Sequence, residues 1–239
     1  MSIKILFEFK MNNKITKHRL QLCPIRQNSV DGNGLILIAD ISGFTKFVQE
    51  TDALVGSKIT QMLLSSIVDS NILNLKVNEI EGDAIFFYKY GNLPSICSIL
   101  KQYEVMLGNF NNKLHKIRTQ FKTQLDLSLK VIVHVGKMTQ FSIGKFNKLY
   151  GTSVIEAHRL LKNPIPSKSY VLLTDELIKT VIHHTNDDDC VQTNAKMLSE
   201  KYDKKSMEFT YYDYQNQNTS VSHIKHGCNK GFKPLTHIQ

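Results

Sequence analysis

A short run of large aliphatic residues, Leu35–Ala39, is the feature that most limits how this chain of 239 residues can fold. The run follows the turn-forming residues 31–34 and ends at Asp40, so it has the length of a strand and contains no polar position. Such a strand is typically buried on both faces of a sheet. A carboxylate at its end costs free energy unless a cation or hydrogen bonds compensate it. Asp40 is therefore a candidate metal ligand or, alternatively, the cap of a helix that starts after Gly43.

A second segment, residues 79–88, supports the metal-ligand interpretation of Asp40. Its pattern predicts two apolar strands joined by a tight turn at residues 81–83, which leaves Asp83 at the tip of a hairpin. Paired Mg²⁺ ions prefer oxygen ligands and lie about 3.5–4 Å apart in proteins. We therefore expect Asp40 and Asp83 to converge on a site for divalent cations. Gly43 allows a tight turn beside this site, and the N–H groups of the helix that follows favour anions such as phosphate.

Three motifs in this order resemble those of the class III adenylate/guanylate cyclases. Asp-Ile-Ser-Gly-Phe-Thr at 40–45 and Glu-Gly-Asp-Ala at 81–84 look like the two metal-binding motifs of that family. Residues 150–159 look like the third motif, a helix with transition-state residues, in the Val-Ile-Glu-Ala-His-Arg variant of an uncharacterised bacterial cyclase-like branch. Together the three motifs indicate a cyclase homology domain over about 35–214.

The resemblance implies an α+β fold of the class III nucleotide cyclase type, which is a ferredoxin-like antiparallel sheet with helices on one face. The β-α-β-β-α-β order indicated by hydrophobic periodicity agrees with this fold. The resemblance also implies a head-to-tail homodimer whose active sites lie between the subunits. Asp40 and Asp83 would then come from one subunit and Arg159 from the other.

The resemblance assigns roles to individual residues of the site. Asp40, Asp83 and the backbone of Ile41 would hold two Mg²⁺ (or Mn²⁺) ions per site, and Arg159 would stabilise the charge that develops on the α-phosphate. The phosphate oxygens of the nucleotide would be bound by backbone N–H groups of four residues: Ile41, Gly43, Phe44 and Thr45.

The positions that would contact the base and the ribose depart from the family pattern. Glu79 occupies a base-reading position as in guanylate-selective members, and its carboxylate would accept hydrogen bonds from the N1–H and amino group of guanine. The second base-reading position aligns with Lys148, which fits neither standard pattern. Ile155 stands where the family has an asparagine that orients the ribose, and an isoleucine side chain cannot form that hydrogen bond.

Composition indicates one globular domain, because 41% of residues are hydrophobic and 21% are charged. We expect an N-terminal arm at 1–30, the cyclase-like domain at 31–214 and a polar tail at 215–239. No apolar run reaches the roughly 18–20 residues that span a bilayer, and no signal peptide is evident, so we expect a cytoplasmic protein without membrane contact. The net charge is +9, but the lysines are dispersed, which favours a polyphosphate ligand over nucleic acid.

Two functions remain open from the sequence. The first is a nucleotide cyclase that converts a purine nucleoside triphosphate to a 3′,5′-cyclic nucleotide and pyrophosphate. The second is a catalytically degenerate cyclase-fold domain that binds nucleotide or a protein partner without turnover. Two departures from the family pattern favour it: Ile155, and the lack of an identifiable lysine for the β- and γ-phosphates.

Overall fold

A computed structural model of the chain describes residues 7–11, 14–18, 31–184, 195–202 and 205–215. The strands of this part are β1 (Phe7–Met11), β2 (Lys14–His18), β3 (Asp31–Ser42), β4 (Lys76–Glu81), β5 (Ala84–Tyr90), β6 (Ser128–Ile143), β7 (Phe146–Tyr150), β8 (Tyr170–Thr174), β9 (Ala195–Tyr202) and β10 (Lys205–Asp213). The helices are α1 (Phe44–Glu50), α2 (Ala53–Val68), α3 (Ile96–Phe121), α4 (Thr152–Arg159) and α5 (Asp175–His184).

Eight of these strands form a single sheet with β3 near its centre. The order is β4-β5-β3-β6-β8-β10-β9, and β7 pairs with the distal half of β6. β3 runs antiparallel to both β5 and β6, so Leu35–Ala39 is covered on both edges and both faces and is at most 1% exposed. This placement explains why the segment contains only apolar side chains.

The two faces of the sheet are covered by different helices. Leu35 and Leu37 face a first core, which they share with α1, α2, α3 and α5. Ile36 and Ile38 face a second core, which includes Ala157 of α4. The predicted α+β sheet is confirmed, and four helices share one face as expected, whereas α4 lies on the other. β6 and β8 are parallel, so the chain must cross over a face of the sheet between them, and α4 is part of that crossover.

The ends of the chain contain strands that the sequence did not predict. β1 and β2 pair as an antiparallel hairpin within the predicted arm at 1–30, and β9 adds an edge strand beside β10. The predicted tail at 215–239 lies outside the described residues except for Gln215, so the division into arm, domain and tail stays a prediction. No helix in the described part of the chain is long and apolar enough to cross a membrane.

Candidate active site

Asp40 and Asp83 lie next to each other at one end of the sheet. Asp40 stands opposite Ala84 in the pairing of β3 with β5, and Asp83 directly precedes Ala84 in the turn after β4. The Ile41 N–H donates a hydrogen bond to the Asp83 carbonyl oxygen at 3.3 Å, which ties this turn to β3. Both side chains line the same small cavity, together with Ala84. The structure thus brings together the two side chains that the sequence predicted to converge.

Lys130 is the counter-ion of Asp40. Its Nζ lies 2.8 Å from Asp40 Oδ2, and the two side chains are only 20% and 15% exposed. The contact arises because Lys130 stands opposite Asp40 in the pairing of β3 with β6. Burial lowers the pKa of Lys130, but the hydrogen bond and the charge of Asp40 outweigh burial, so the pKa lies above its ordinary value. A cation is therefore already present at the aspartate pair.

The site disfavours the ionised form of the Asp83 carboxyl group. Burial and the like charge of Asp40 raise the pKa of Asp83 from 3.8 to about 6, whereas the charge of Lys130 acts in the opposite direction. Lys130 pairs with Asp40 rather than with Asp83, so the direct charge compensation is on Asp40. A divalent cation between the carboxylates would relieve the repulsion.

Asp83→Asn is expected to stabilise the unliganded protein above about pH 6. Because the Asp83 pKa is higher in the folded state than in the unfolded state, the free energy of unfolding of the wild type falls as pH rises from 3.8 to about 6. Above that range the free energy of unfolding of the variant should exceed that of the wild type by about 1 kcal/mol. This figure is discounted because Asp83 is half-exposed and solvent screens its charge. The gain should vanish below about pH 4. Urea unfolding in chelator-containing buffer from pH 4 to 8 measures the difference, with Glu81→Gln as the control, and a pH-independent difference would contradict the assignment.

A small acidic cavity of about 190 Å³ opens beside the two aspartates. Its walls include two further carboxylates, Glu79 and Glu81, and one imidazole, His158. The His158 ring stacks on Phe86, with ring centroids 5.2 Å apart and planes at 15°. The cavity is smaller than the roughly 300–1,000 Å³ of pockets that enclose a small-molecule ligand. The cavity is therefore too small to enclose a ligand of that size by itself.

The two predicted base-reading residues form an ion pair with each other. Glu79 on β4 binds the Lys148 ammonium on β7, and it also accepts a hydrogen bond from Asn78 Nδ2 at 2.9 Å. The hydrogen bond with Glu79 raises the pKa of Lys148. The Glu79 side chain is 19% exposed and that of Lys148 is 44% exposed. A ligand that used either residue would have to contact the pair or separate it.

The turn at Gly43 lies beside Asp40 and begins α1. Gly43 has a φ of +87°, and a Cβ there would collide with the carbonyl oxygen of Asp126, so both conformation and space require glycine. No side chain caps α1, which excludes the alternative role of Asp40 as its cap. The Phe44 side chain packs toward the first core, and Thr45 is exposed. The Ile41 N–H already donates to the Asp83 carbonyl oxygen, so a phosphate oxygen would have to replace or share that hydrogen bond.

Ile155 and Arg159 share the outward face of α4. They are four residues apart, both are exposed, and Ile155 is 54% exposed. The opposite face of the helix packs Ser153 and Ala157 against the sheet. Arg159 does not line the cavity formed by the described residues. Arg159 and the aspartate pair of one chain therefore do not line this cavity together.

The donor set at the aspartate pair fits a Mg²⁺-type ion bound together with a substrate. Across the described ranges, no three of the side chains His, Cys, Asp and Glu converge on one point. Mg²⁺ is commonly held by one or two carboxylates, with water and substrate phosphates completing its shell. Asp40 and Asp83 supply oxygen ligands of this kind, and the Lys130 ammonium is a cation beside the pair.

Sequence reasoning missed Lys130 and His158 as neighbours of the site. Lys130 occupies a polar position of the alternating pattern on β6, between Leu129 and Val131, and its charge within a largely apolar strand was the available signal. Its proximity to Asp40 depends on the register between β3 and β6, which are separated by a long stretch of chain. His158 reaches the cavity because α4 lies on the face of the sheet opposite the other helices.

The chain is similar in sequence to one protein family and to one curated protein. Residues 60–170 match the model of a family described as a protein of unknown function, DUF2652. The chain is 26% identical over 157 residues to the uncharacterized protein Rv2561/Rv2562 of Mycobacterium tuberculosis, a match that covers 63% of this chain and 70% of that protein.

Solved structures of cyclase domains are similar to this chain over most of its length. The guanylyl cyclase Cya2 has a TM-score of 0.63 at 12% identity and matches over 81% of this chain and 98% of its own. The adenylyl cyclase CyaB from P. aeruginosa has a TM-score of 0.53 at 15% identity, over 79% and 97%. A class III adenylyl cyclase-like ATP-binding protein from Pseudomonas aeruginosa has a TM-score of 0.54 at 16% identity, over 63% and 35%. The resemblance predicted from the three motifs is thus confirmed for the fold: the chain has the architecture of a class III nucleotide cyclase domain.

Proposed function

We propose that this protein is a nucleotide cyclase that acts on a purine nucleoside triphosphate with two Mg²⁺ or Mn²⁺ ions, and that residues 31–214 form its catalytic unit. The observation that carries the proposal is the convergence of Asp40 and Asp83 beside an acidic cavity. The raised pKa of Asp83 supports it, because a carboxylate pair that repels in the unliganded protein is suited to bind cations.

In the proposed reaction, the ribose 3′-oxygen forms a bond to the α-phosphorus. At the same time the bond breaks between the α-phosphorus and the oxygen that bridges it to the β-phosphate. Pyrophosphate leaves and the hydroxyl proton passes to water. When bound, the divalent ions lower the pKa of the 3′-hydroxyl and neutralise the triphosphate. Positioning and charge compensation by the protein account for most of the remaining acceleration.

Three side chains of the protein would supply the charge compensation and positioning. Asp40 and Asp83 would orient the ion-bound triphosphate. Lys130 would turn from Asp40 to a phosphate oxygen when a divalent ion takes its place, because its Nζ is within 2.8 Å of that carboxylate. The first turn of α1 after Gly43 remains a candidate phosphate contact. Arg159 would stabilise the α-phosphate charge in the transition state.

A second copy of the chain is the proposed source of Arg159. The outward face of α4 and the β6–β7 hairpin expose large apolar side chains that a monomer would leave in water: Phe141, Ile143, Phe146, Tyr150 and Ile155. Ile143 and Phe146 are paired with each other across the hairpin, and adjoining exposed apolar side chains are typical of protein interfaces. A homodimer that covers these residues would also enlarge the small cavity into a pocket for a nucleotide.

The experiment that tests the proposal is incubation of the purified protein with each of the four nucleoside triphosphates and Mn²⁺ or Mg²⁺. A 3′,5′-cyclic product and pyrophosphate in equal amounts are expected. Nucleotide binding without any cyclic product, at any of the four bases and with either ion, would contradict the proposal.

We expect GTP to be preferred over ATP because of the Glu79–Lys148 pair. Glu79 would accept from the N1–H and amino group of guanine, and Lys148 would donate to its O6. The exchange variant Glu79→Lys with Lys148→Glu retains the ion pair but reverses donor and acceptor. It should shift the ratio of the GTP and ATP dissociation constants by about tenfold or more toward ATP. Each single variant is the control for loss of the pair, and an unchanged ratio in the exchange variant would exclude base contact at these positions.

A second candidate function is nucleotide binding without turnover. Ile155 favours it, because the exposed isoleucine offers no hydrogen bond to a ribose. One similar structure is described as a class III adenylyl cyclase-like ATP-binding protein, a description that names nucleotide binding as its property. Ile155→Asn separates the two functions, since it should increase cyclic product in an active enzyme and leave a binding protein without product.

A further inference from the structure

His134 is a buried imidazole that the proposed reaction does not use. It lies in β6 opposite Ile36 and is 1% exposed. Its Nδ1 is 3.0 Å from Thr174 Oγ1, and its Nε2 is 3.2 Å from Glu156 Oε2. Thr174 is the last residue of β8 and Glu156 is in the middle of α4. The imidazole therefore links the sheet to the helix that carries Arg159.

Both hydrogen bonds of His134 are satisfied by the neutral tautomer that carries its proton on Nε2, which we assign from the partners. The ionised Glu156 carboxylate can only accept, so Nε2 carries the proton and donates to it. The Thr174 hydroxyl donates to Nδ1, while its oxygen accepts from the Leu177 N–H at 3.4 Å. This arrangement satisfies both ring nitrogens of a neutral imidazole. The result agrees with the finding that the described buried side-chain nitrogen and oxygen atoms all have hydrogen-bond partners.

α4 depends on such contacts because it has only eight residues. A helix of this length is not stable in isolation. Its first turn is held by Ser153, whose Oγ donates to the Lys137 carbonyl oxygen at 2.8 Å. Gly136 permits the close approach, since a Cβ there would lie 2.6 Å from Ser153 Cβ. Glu156 provides a polar contact one turn further along, just before Arg159.

We propose that Thr174, His134 and Glu156 are positioning residues that fix the rotation of α4 about its axis. Successive helical residues point about 100° apart. Because the Glu156 contact keeps one side of α4 turned toward His134, it also sets the directions of the next side chains. His158 then points toward the cavity and Arg159 toward the outward face. The consequence for Arg159 rests on the proposed function, whereas the anchoring of α4 does not.

The anchoring is tested by amide hydrogen exchange in the unliganded full-length protein. Glu156→Ala and Thr174→Val should each accelerate exchange in residues 152–160 by about tenfold or more, because a buried polar partner is lost. Glu156→Gln should restore slow exchange, since its amide oxygen can accept from His134 Nε2–H. Thr210→Val is the matched control, because Thr210 is also a buried threonine but lies in β10. Unchanged exchange in 152–160, or equal acceleration throughout the sheet, would overturn the proposal.

The link to Arg159 is tested by a double-mutant cycle on nucleotide turnover. Glu156→Ala should reduce turnover by about tenfold in the wild type and have little further effect in Arg159→Ala, because both changes remove the same interaction. Additive losses would overturn the link to Arg159. If the wild type shows no turnover, the proposed function fails, and the exchange experiment still decides whether the three residues anchor α4.

Discussion

Asp83→Asn is expected to reduce formation of cyclic nucleotide by about a thousandfold, which corresponds to about 4 kcal/mol of transition-state stabilisation. The amide is nearly the same size as the carboxylate, so the fold should be retained. It lacks the negative charge that would hold a divalent ion beside the triphosphate, and the repulsion between the carboxylates that favours cation binding is lost with it. Asp40→Asn should have an effect of similar size, with the additional loss of the Lys130 ion pair. Initial rates at saturating Mn²⁺ measure both effects.

Glu81→Gln is the matched control for Asp83→Asn. Glu81 lines the same cavity, but it belongs to β4 rather than to the turn that contacts β3. It should retain most of the turnover and should bind Mn²⁺ as the wild type does, whereas Asp83→Asn should bind it weakly. Turnover at the wild-type rate in Asp83→Asn would exclude the aspartate pair as the catalytic site. Equal losses in Asp83→Asn and Glu81→Gln would indicate a general effect of cavity charge.

The second prediction with a large effect is that two inactive variants restore activity when they are combined in one dimer. Arg159→Ala should lose about 10²–10³ in turnover, as expected for a donor to transition-state charge. When Arg159→Ala and Asp83→Asn are refolded or expressed together, activity should return to about one quarter of the wild type. Half of randomly formed dimers contain both chains, and one of the two sites in such a dimer has an intact aspartate pair and an intact arginine.

The control for complementation is a chain that carries both substitutions, mixed with Arg159→Ala. In that mixture, no dimer site combines an intact aspartate pair with Arg159, so activity should not return. Sedimentation of each sample shows whether dimers have formed. If mixed dimers form and activity stays low, then Arg159 does not act across the subunit interface.

Local signals in the sequence are sufficient to identify most of the sheet and the aspartate pair. Leu35–Ala39 is apolar because its side chains meet both cores, and this continuous pattern can be recognised without a structure. Asp40 and Asp83 were predictable as neighbours because Asp40 ends one clearly apolar strand and Asp83 lies in the turn between two others. The α+β class follows from the same hydrophobic periods. In each case the relevant residues are close in sequence to the pattern that reveals them.

The missed features depend on pairs of residues that are distant in sequence. Lys130 reaches Asp40 only through the register of two strands, and a slip of one residue would turn its side chain to the other face. Glu79 and Lys148 were predicted as base-reading positions, but their ion pair depends on β7 lying close to β4. The buried partners of His134 come from β8 and α4, which meet because α4 crosses the second face of the sheet.

The sequence by itself determined which segments are strands, where two carboxylates end them and which known cyclase motifs the chain resembles. These properties follow from side-chain polarity and periodicity over short distances. Only the tertiary structure decided that Lys130 neutralises Asp40, that α4 faces away from the other helices and that one chain forms a cavity of about 190 Å³ without Arg159. Those properties depend on strand register and on the path of a crossover, which the packing of the whole sheet selects.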